Sequence, residues 1–182
     1  RLVIVDSGVQ RDDSDTEFSR RQAECKEAVA VLREADDSII SLRDVTPEML
    51  SDHENRLTPD LLARCRHAIS ENQRAIEACE RLAAGDRPAF GRLMAASHLS
   101  LRNDFEISHP TLDRLVEEAR GVEGVLGARL TGSGFGGSTV NLVSEAALPA
   151  LEDRLGLLVD DWSRQSIVVA SPEKAGVTEV IA

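Results

Sequence analysis

The chain has 182 residues, an ordinary globular composition and a formal net charge of −11 at pH 7. This length allows one domain with a buried core, and the acidic charge argues against a general nucleic-acid or anionic-membrane surface. No stretch approaches the roughly 18 apolar residues that are needed to cross a bilayer. The three cysteines, an odd number without metal-ligand spacing, are interpreted as core thiols of a reducing compartment. We therefore expect a cytoplasmic protein with no membrane partner and no nucleic-acid partner.

The first third of the chain predicts a strand, a helix and a connection. Arg1–Val5 has the pattern of an apolar strand, and because it opens the chain directly, we expect the sequence to be a segment of a longer protein. After a polar turn, Asp15 can cap a helix that continues to about Glu34, with apolar residues at helical spacing. Residues 35–55 have turn character and are predicted to form a connection.

Helices dominate the middle of the chain. Thr58 followed by Pro59 is a strong helix start, and the apolar stripe behind it runs to the stop signal at Gly85-Asp86. A second helix is predicted over Phe90–Leu101, and a shorter third one after His109-Pro110.

The last third of the chain predicts strands around a glycine-rich loop. Apolar β-type runs cover residues 124–130 and 139–143. An amphipathic helix follows from Leu148 to Trp162, and a last strand covers Ile167–Ala170. The predicted fold class is α+β, with a small antiparallel, ferredoxin-like sheet and helices packed on it.

The most informative stretch is the loop between those strands, which has four glycines within residues 132–137. Gly132, Gly134 and Gly137 match the dinucleotide fingerprint G-x-G-x-x-G, but that fingerprint must open a helix, and a β-branched run follows here. A P-loop is excluded because no Lys-Ser or Lys-Thr pair follows the last glycine. Two interpretations stay open: a tight hairpin without a ligand, and a loop whose backbone N–H groups bind an anion.

No set of side chains combines a nucleophile, a base and metal ligands. No pair of the four histidines has metal-ligand spacing on a helix face, and Ser138 is not in a G-x-S-x-G elbow. Four arginines could meet a phosphate but are interpreted as surface charges: Arg20, Arg21, Arg102 and Arg129. The sequence predicts an anion loop without catalytic groups, which fits half of an active site better than a whole one.

Several segments, in order, resemble the C-terminal half of the galactokinase family within the GHMP kinase superfamily. Leu130–Val140 is similar to the family's third motif, usually T-G-G-G-F-G-G-C-T-V. Phe90–Ser108 resembles F-G-x-L-M-x-x-S-H-x-S-L-R-D-D-Y-E-V-S, and Asp6–Cys25 resembles N-S-N-V … S-E-Y-x-x-R-R-x-Q-C. Between them, Arg64–Asn72 is similar to the helix R-x-x-H-x-x-x-E-N. The resemblance spans nearly the whole chain.

The resemblance implies transfer of the γ-phosphoryl group of ATP, with Mg²⁺, to the C1 hydroxyl of galactose or a related sugar. In that family the site lies between two domains, and the ATP phosphate loop, the metal ligand and the catalytic aspartate belong to the N-terminal one. No such segment occurs in this sequence. We therefore expect residues 1–182 to form a C-terminal domain without catalytic or metal-binding residues, whose partner is its own N-terminal domain. Alone it should be inactive, with apolar surface exposed where that domain docks.

The resemblance also assigns site residues. Phe18 stands where the family has a tyrosine that contacts the sugar, so it keeps the ring but loses a hydroxyl. The cofactor contacts fall on the loop residues Gly132, Ser133, Gly134, Phe135, Gly136 and Gly137. Ser133 replaces a usual glycine and needs a negative φ, or else a strain of about 1 kcal/mol. These two departures motivate an alternative, a kinase-derived sugar sensor or regulatory protein without turnover. A kinase of the same superfamily for another substrate is a third hypothesis.

Overall fold

The computed structural model describes residues 1–9, 14–158 and 167–170. Its strands are Leu2–Asp6 (β1), Val125–Thr131 (β2), Ser138–Val143 (β3) and Ile167–Ala170 (β4). Its α-helices are Ser14–Arg33 (α1), Pro47–His53 (α2), Pro59–Ala83 (α3), Arg87–Asn103 (α4), Pro110–Arg120 (α5) and Leu148–Gly156 (α6).

The strands form one sheet in the order β2-β3-β1-β4, with every neighbouring pair antiparallel. β1 connects to β2 through five helices, and β3 connects to β4 with α6 between them. In the sheet, β3 lies between β1 and β2, and β1 lies between β3 and β4, so neither connection joins neighbouring strands. This is the split βαβ arrangement of a ferredoxin-like sheet, and it confirms the predicted fold class.

Helices cover both faces of the sheet. Successive residues of a strand point to opposite faces, and in β2 Gly127 meets α4 whereas Ala128 packs under α5 and α6. A Cβ added to Gly127 would lie 2.5 Å from the Cα of Gly91 in α4, so helix and strand touch backbone to backbone. On the other face, Val3 and Val5 of β1 are buried among side chains of α5 and α6.

A second core lies away from the sheet, between α1, α2 and α3. It contains Ala28 and Leu32 of α1, Leu50 of α2, and Leu61 and Cys65 of α3, all buried. α3 begins as the sequence predicts, because the Thr58 hydroxyl accepts a hydrogen bond from the Leu61 N–H at 3.3 Å and proline occupies the first turn. The fold therefore has a sheet layer, which carries the glycine-rich loop, and a helical layer beside it.

Three predictions about the elements are wrong in detail. Residues 35–55 contain α2, which Thr46 caps by accepting a hydrogen bond from the Met49 N–H at 3.2 Å. α1 begins at Ser14, one residue before Asp15, the position that was expected to cap it. α6 ends at Gly156, and Trp162 lies outside the described residues.

Candidate functional site

The glycine-rich loop closes the hairpin between β2 and β3, and its conformation explains its composition. The four glycines and Phe135 all have positive φ, from 58° at Phe135 to 135° at Gly136. Ser133 keeps a negative φ, which a residue with a Cβ tolerates. Serine at this position therefore causes no backbone strain.

Two glycines of the loop are required by close contact with other backbone segments. A Cβ at Gly134 would lie 2.1 Å from the carbonyl oxygen of Ile107, and one at Gly136 would lie 2.9 Å from that of Val9. Only a residue without a side chain fits such approaches. The loop is therefore inserted between the end of β1 and the segment that follows α4.

Backbone hydrogen bonds fix the loop in that position. The Phe135 N–H donates to the Ile107 carbonyl at 2.7 Å, and the Ser7 N–H donates to the Gly137 carbonyl at 2.8 Å. The ring of Phe135 packs on a small cluster with Ile107 and Leu130. Because the Phe135 N–H already donates to Ile107, this amide stabilises the loop conformation and is not available to bind a ligand.

The segment 104–107, which holds the loop, is itself held by two arginines from different helices. Arg64 of α3, 2% exposed, donates to Glu24 Oε2 at 2.6 Å, to Glu106 Oε2 at 2.8 Å and to the backbone carbonyl of Asp104. Arg21 of α1 donates to the carbonyls of Phe105 at 2.8 Å and Glu106 at 3.3 Å. We call Arg21, Glu24, Arg64 and Glu106 the arginine cluster.

Charge pairing dominates the electrostatics of the arginine cluster. Burial alone would raise the pKa of Glu24, but the hydrogen bond and charge of Arg64, with the charge of Arg21, hold that pKa below its usual range. Burial would lower the pKa of Arg64, whereas Glu24 and Glu106 raise it above its ordinary value. Glu106 has a φ of 54°, unusual for a residue with a side chain, and its two arginine contacts hold it there.

Phe105, in the segment 104–107, also packs against His67 of α3. Their rings stack with centroids 4.6 Å apart, and His67 Nδ1 lies 3.0 Å from the hydroxyl of Ser100, which donates to Asp104 at 2.8 Å. Since the hydroxyl proton goes to the carboxylate, the pattern assigns the imidazole proton to Nδ1. Burial lowers the pKa of His67 to about 4, so the ring is neutral at pH 7.

The structure brings the loop residues together and places Phe18 on a different element. Phe18 is half-buried on α1, one helical turn before Arg21. Arg21 and the loop contact the same segment, residues 105–107, from two sides. That shared segment links the predicted sugar contact and the predicted cofactor loop.

Two of the four arginines interpreted as surface charges are not surface charges. Arg21 is buried in the arginine cluster, and Arg129 is half-buried and pairs with Glu71 at 3.2 Å. Sequence reasoning also missed the role of Arg64, although the family-like segment beginning at Arg64 contained the signal. Arg20 and Arg102 are exposed, as expected.

Residues 1–9, 14–158 and 167–170 contain neither a cluster of metal ligands nor a membrane-spanning helix. No group of three or more His, Cys, Asp or Glu side chains that could hold a metal ion is found in this part of the chain. No helix there is both long and apolar enough to cross a membrane.

Comparison with known proteins identifies the family. Residues 62–158, slightly more than half of the chain, match the family model described as "GHMP kinases C terminal". The chain therefore belongs to the GHMP kinase C-terminal family. The matched range includes most of α3, the segment 104–107 and the whole glycine-rich loop.

Within that family the chain is similar to galactokinases. It is 48% identical to the galactokinase of Chloroflexus aurantiacus over 144 residues, which are 79% of this chain and 37% of that protein. It is 36% identical to the galactokinase of Streptococcus mutans over 181 residues, which are 99% of this chain and 46% of that protein. The chain thus spans less than half the length of the curated relatives it matches.

Solved structures give the same assignment. A crystal structure of Lactococcus lactis galactokinase complexed with galactose matches 86% of this chain and 40% of that one, with 35% identity and a TM-score of 0.82. A mevalonate kinase from L. major in complex with R-mevalonate matches with 21% identity and a TM-score of 0.52, which shows a shared fold alone. The resemblance to the C-terminal half of galactokinases is therefore confirmed in both sequence and structure.

Proposed function

We propose that the complete protein carrying this chain is an ATP-dependent sugar kinase that phosphorylates the C1 hydroxyl of galactose or a related sugar. The observation that carries the proposal is the likeness of this chain to a galactose-bound galactokinase over 86% of its length. Less than half of that protein is matched, so this chain would be one domain of a two-domain enzyme. We expect that enzyme to be cytoplasmic.

The glycine-rich loop is proposed to form one wall of the ATP phosphate site. ATP would supply the phosphoryl group and Mg²⁺ would neutralise its developing charge, and catalysis of such transfers rests on positioning and electrostatics. The loop fits this role as a rigid wall, because Ile107 and Ser7 fix it on both sides. The metal ligands and the catalytic base are expected from the N-terminal domain.

Phe18 is proposed to contact the sugar. Its ring can pack on an apolar face of the substrate, but it offers no hydroxyl to a sugar oxygen. A site that loses a hydrogen-bonding group discriminates less between substrates. We therefore expect a broader choice of hexoses than a tyrosine at this position would allow.

The test is an assay of the complete protein with ATP, Mg²⁺ and a panel of hexoses, with ADP release and the phosphorylated sugar both measured. Residues 1–182 alone are assayed in parallel and should show no turnover. Absence of turnover by the complete protein on every sugar would refute the kinase proposal. Turnover by the isolated chain would refute the assignment of catalysis to the other domain.

A sugar sensor without turnover is the second candidate, and Phe18 is the observation that favours it. Ser133 no longer supports it, because its φ is negative and serine fits the loop without backbone strain. Binding of galactose by the complete protein without ADP release would establish this candidate, and recovery of turnover in Phe18→Tyr would assign the loss of turnover to Phe18.

A further inference from the structure

A cavity of about 630 Å³ opens between α1, α3 and the turn at residues 40–43, in the helical layer and apart from the glycine-rich loop itself. This volume is within the range of small-molecule sites, which are mostly apolar with a few polar groups. Its apolar walls include Val29, Leu42 and Phe105. Ile40, 75% exposed, adds a large apolar side chain at the rim.

Cations outnumber carboxylates among the charged side chains that line the cavity, three to one. Lys26, Arg33 and Arg43 line it and are exposed, and within the described part of the chain none of the three forms an ion pair. The carboxylate that lines it, Glu71, is already engaged by Arg74 at 2.7 Å and Arg129 at 3.2 Å. Three cations without an ion-pair partner among the described residues stand out around one cavity in a chain whose net charge is −11.

The turn at residues 40–43, which forms the rim of the cavity and carries Ile40 and Arg43, is held in place by hydrogen bonds. One oxygen of Asp44 accepts hydrogen bonds from the Ile40 N–H at 3.0 Å, the Ser41 N–H at 2.7 Å and the Ser41 hydroxyl at 3.1 Å. The Arg33 Nε donates to the Ile39 carbonyl at 2.8 Å, which ties α1 to the same turn. A preformed rim reduces the ordering cost of binding.

We propose that this cavity binds a small amphipathic anion, an apolar body of about ten carbons that ends in a carboxylate or a phosphate ester. The body lies on Val29, Leu42 and Phe105, and the anionic end meets Lys26, Arg33 and Arg43. His67 faces the same cavity, and with its proton on Nδ1 its Nε2 can accept one hydrogen bond from the ligand. The site goes beyond the sugar and nucleotide of the proposed kinase.

The test measures binding of four ligands that share one ring system to the complete protein by calorimetry. They are 2-naphthoate, 2-naphthyl phosphate, 2-naphthalenemethanol and 2-naphthylmethylamine. We expect one or both anions to bind at least about fivefold more tightly than the alcohol, and the amine to bind more weakly than the alcohol. The affinity of the anions should fall as salt rises from 50 to 300 mM. The preferred anion distinguishes a carboxylate from a phosphate ligand.

Variants locate the site. Arg43→Gln should weaken anion binding about fivefold and leave binding of the alcohol unchanged, whereas Arg56→Gln, exposed and outside the cavity, should change neither. Ala30→Trp, which fills the mouth from an exposed position of α1, should abolish binding of all four ligands. All three positions are exposed, so we expect the variants to fold, and circular dichroism checks this.

A chemical readout tests the same location. Cys25 lines the cavity and is half-buried, whereas Cys79 is exposed elsewhere. The bound anion should slow alkylation of Cys25 by iodoacetamide and leave that of Cys79 unchanged, as followed by peptide mass spectrometry. Equal affinity for the anions and the alcohol, no effect of Arg43→Gln, or no binding at millimolar ligand would each overturn the proposal.

Discussion

Arg64→Met removes the cation around which the arginine cluster is built and leaves an apolar side chain of similar length. The variant loses the three hydrogen bonds that Arg64 donates, two of them to carboxylates. Breaking a buried pair by removing one partner costs about 3–5 kcal/mol. Glu106 is more than half exposed and Arg21 still pairs with Glu24, so we expect the lower end, about 3 kcal/mol.

The effect should be measurable at the glycine-rich loop. Arg64 holds the segment 104–107, and Ile107 in that segment accepts the Phe135 N–H. Hydrogen exchange of the Phe135 amide in the complete protein should therefore speed up in Arg64→Met, on the order of a hundredfold for 3 kcal/mol. Arg66→Met is the matched control, because Arg66 lies on the same helix, is exposed and pairs with Glu54 at 3.7 Å. Unchanged exchange at Phe135 in Arg64→Met would refute the proposed support of the loop.

The difference between wild type and Arg64→Met should depend on pH with a defined sign. The pKa of Glu24 is depressed in the folded state below its ordinary value of 4.5. The stability this gives is present above pH 4.5 and is lost as the pH falls through the folded-state pKa. The destabilisation by Arg64→Met should therefore be largest at neutral pH and shrink below about pH 4.5, as urea unfolding at pH 7 and pH 3.5 would measure. A constant difference would contradict the pairing.

Three further predictions concern close packing, the loop and a buried base. Gly91→Ala would place a Cβ 1.9 Å from a carbonyl oxygen of β2, so it should destabilise the protein by more than about 2 kcal/mol in thermal unfolding. Gly85→Ala is the control: Gly85 has a φ of 72° but open space around it, so this variant should cost only about 1 kcal/mol. Ser133→Gly should leave kcat/KM of the complete protein within about twofold, because Ser133 already has an ordinary φ; a tenfold gain would show that the serine impairs the site. The folded-state pKa of His67 is about 4, below its ordinary 6.5, so stability should fall as the pH drops through that interval, and His67→Gln should flatten this part of the profile.

Much of the fold could be predicted because its signals are local. The cap and proline at Thr58-Pro59 specify where α3 begins, and the glycine-rich loop between β-type runs specifies the hairpin. α2 was missed because seven residues inside a turn-rich stretch give too short a pattern to separate from a connection. Its cap, Thr46 followed by Pro47, was the available signal.

The site was predicted less completely because its main contacts link distant parts of the chain. Arg64 and Glu106 are separated by 42 residues, and Arg21 and Phe105 by 84. Arginines are mostly exposed in folded proteins, and nothing in the sequence around Arg21 shows that its side chain reaches the carbonyls of Phe105 and Glu106. Only the family-like motifs indicated that these positions matter, and they gave no geometry.

The glycine-rich loop therefore depends on the helical layer as well as on its own glycines. Arg64 and Arg21 bind the segment 104–107 from one side. On its other side, Gly134 lies in close contact with the backbone of Ile107, which is possible because glycine has no Cβ. If the segment transmits both effects, Arg64→Met and Gly134→Ala should not be additive: once Arg64 is gone, Ile107 can yield to the new Cβ at lower cost. A double-mutant cycle in unfolding free energy should then give a coupling of at least about 0.5 kcal/mol, the lower bound for residues in one network. Additivity within error would mean that the loop and the arginine cluster are stabilised independently.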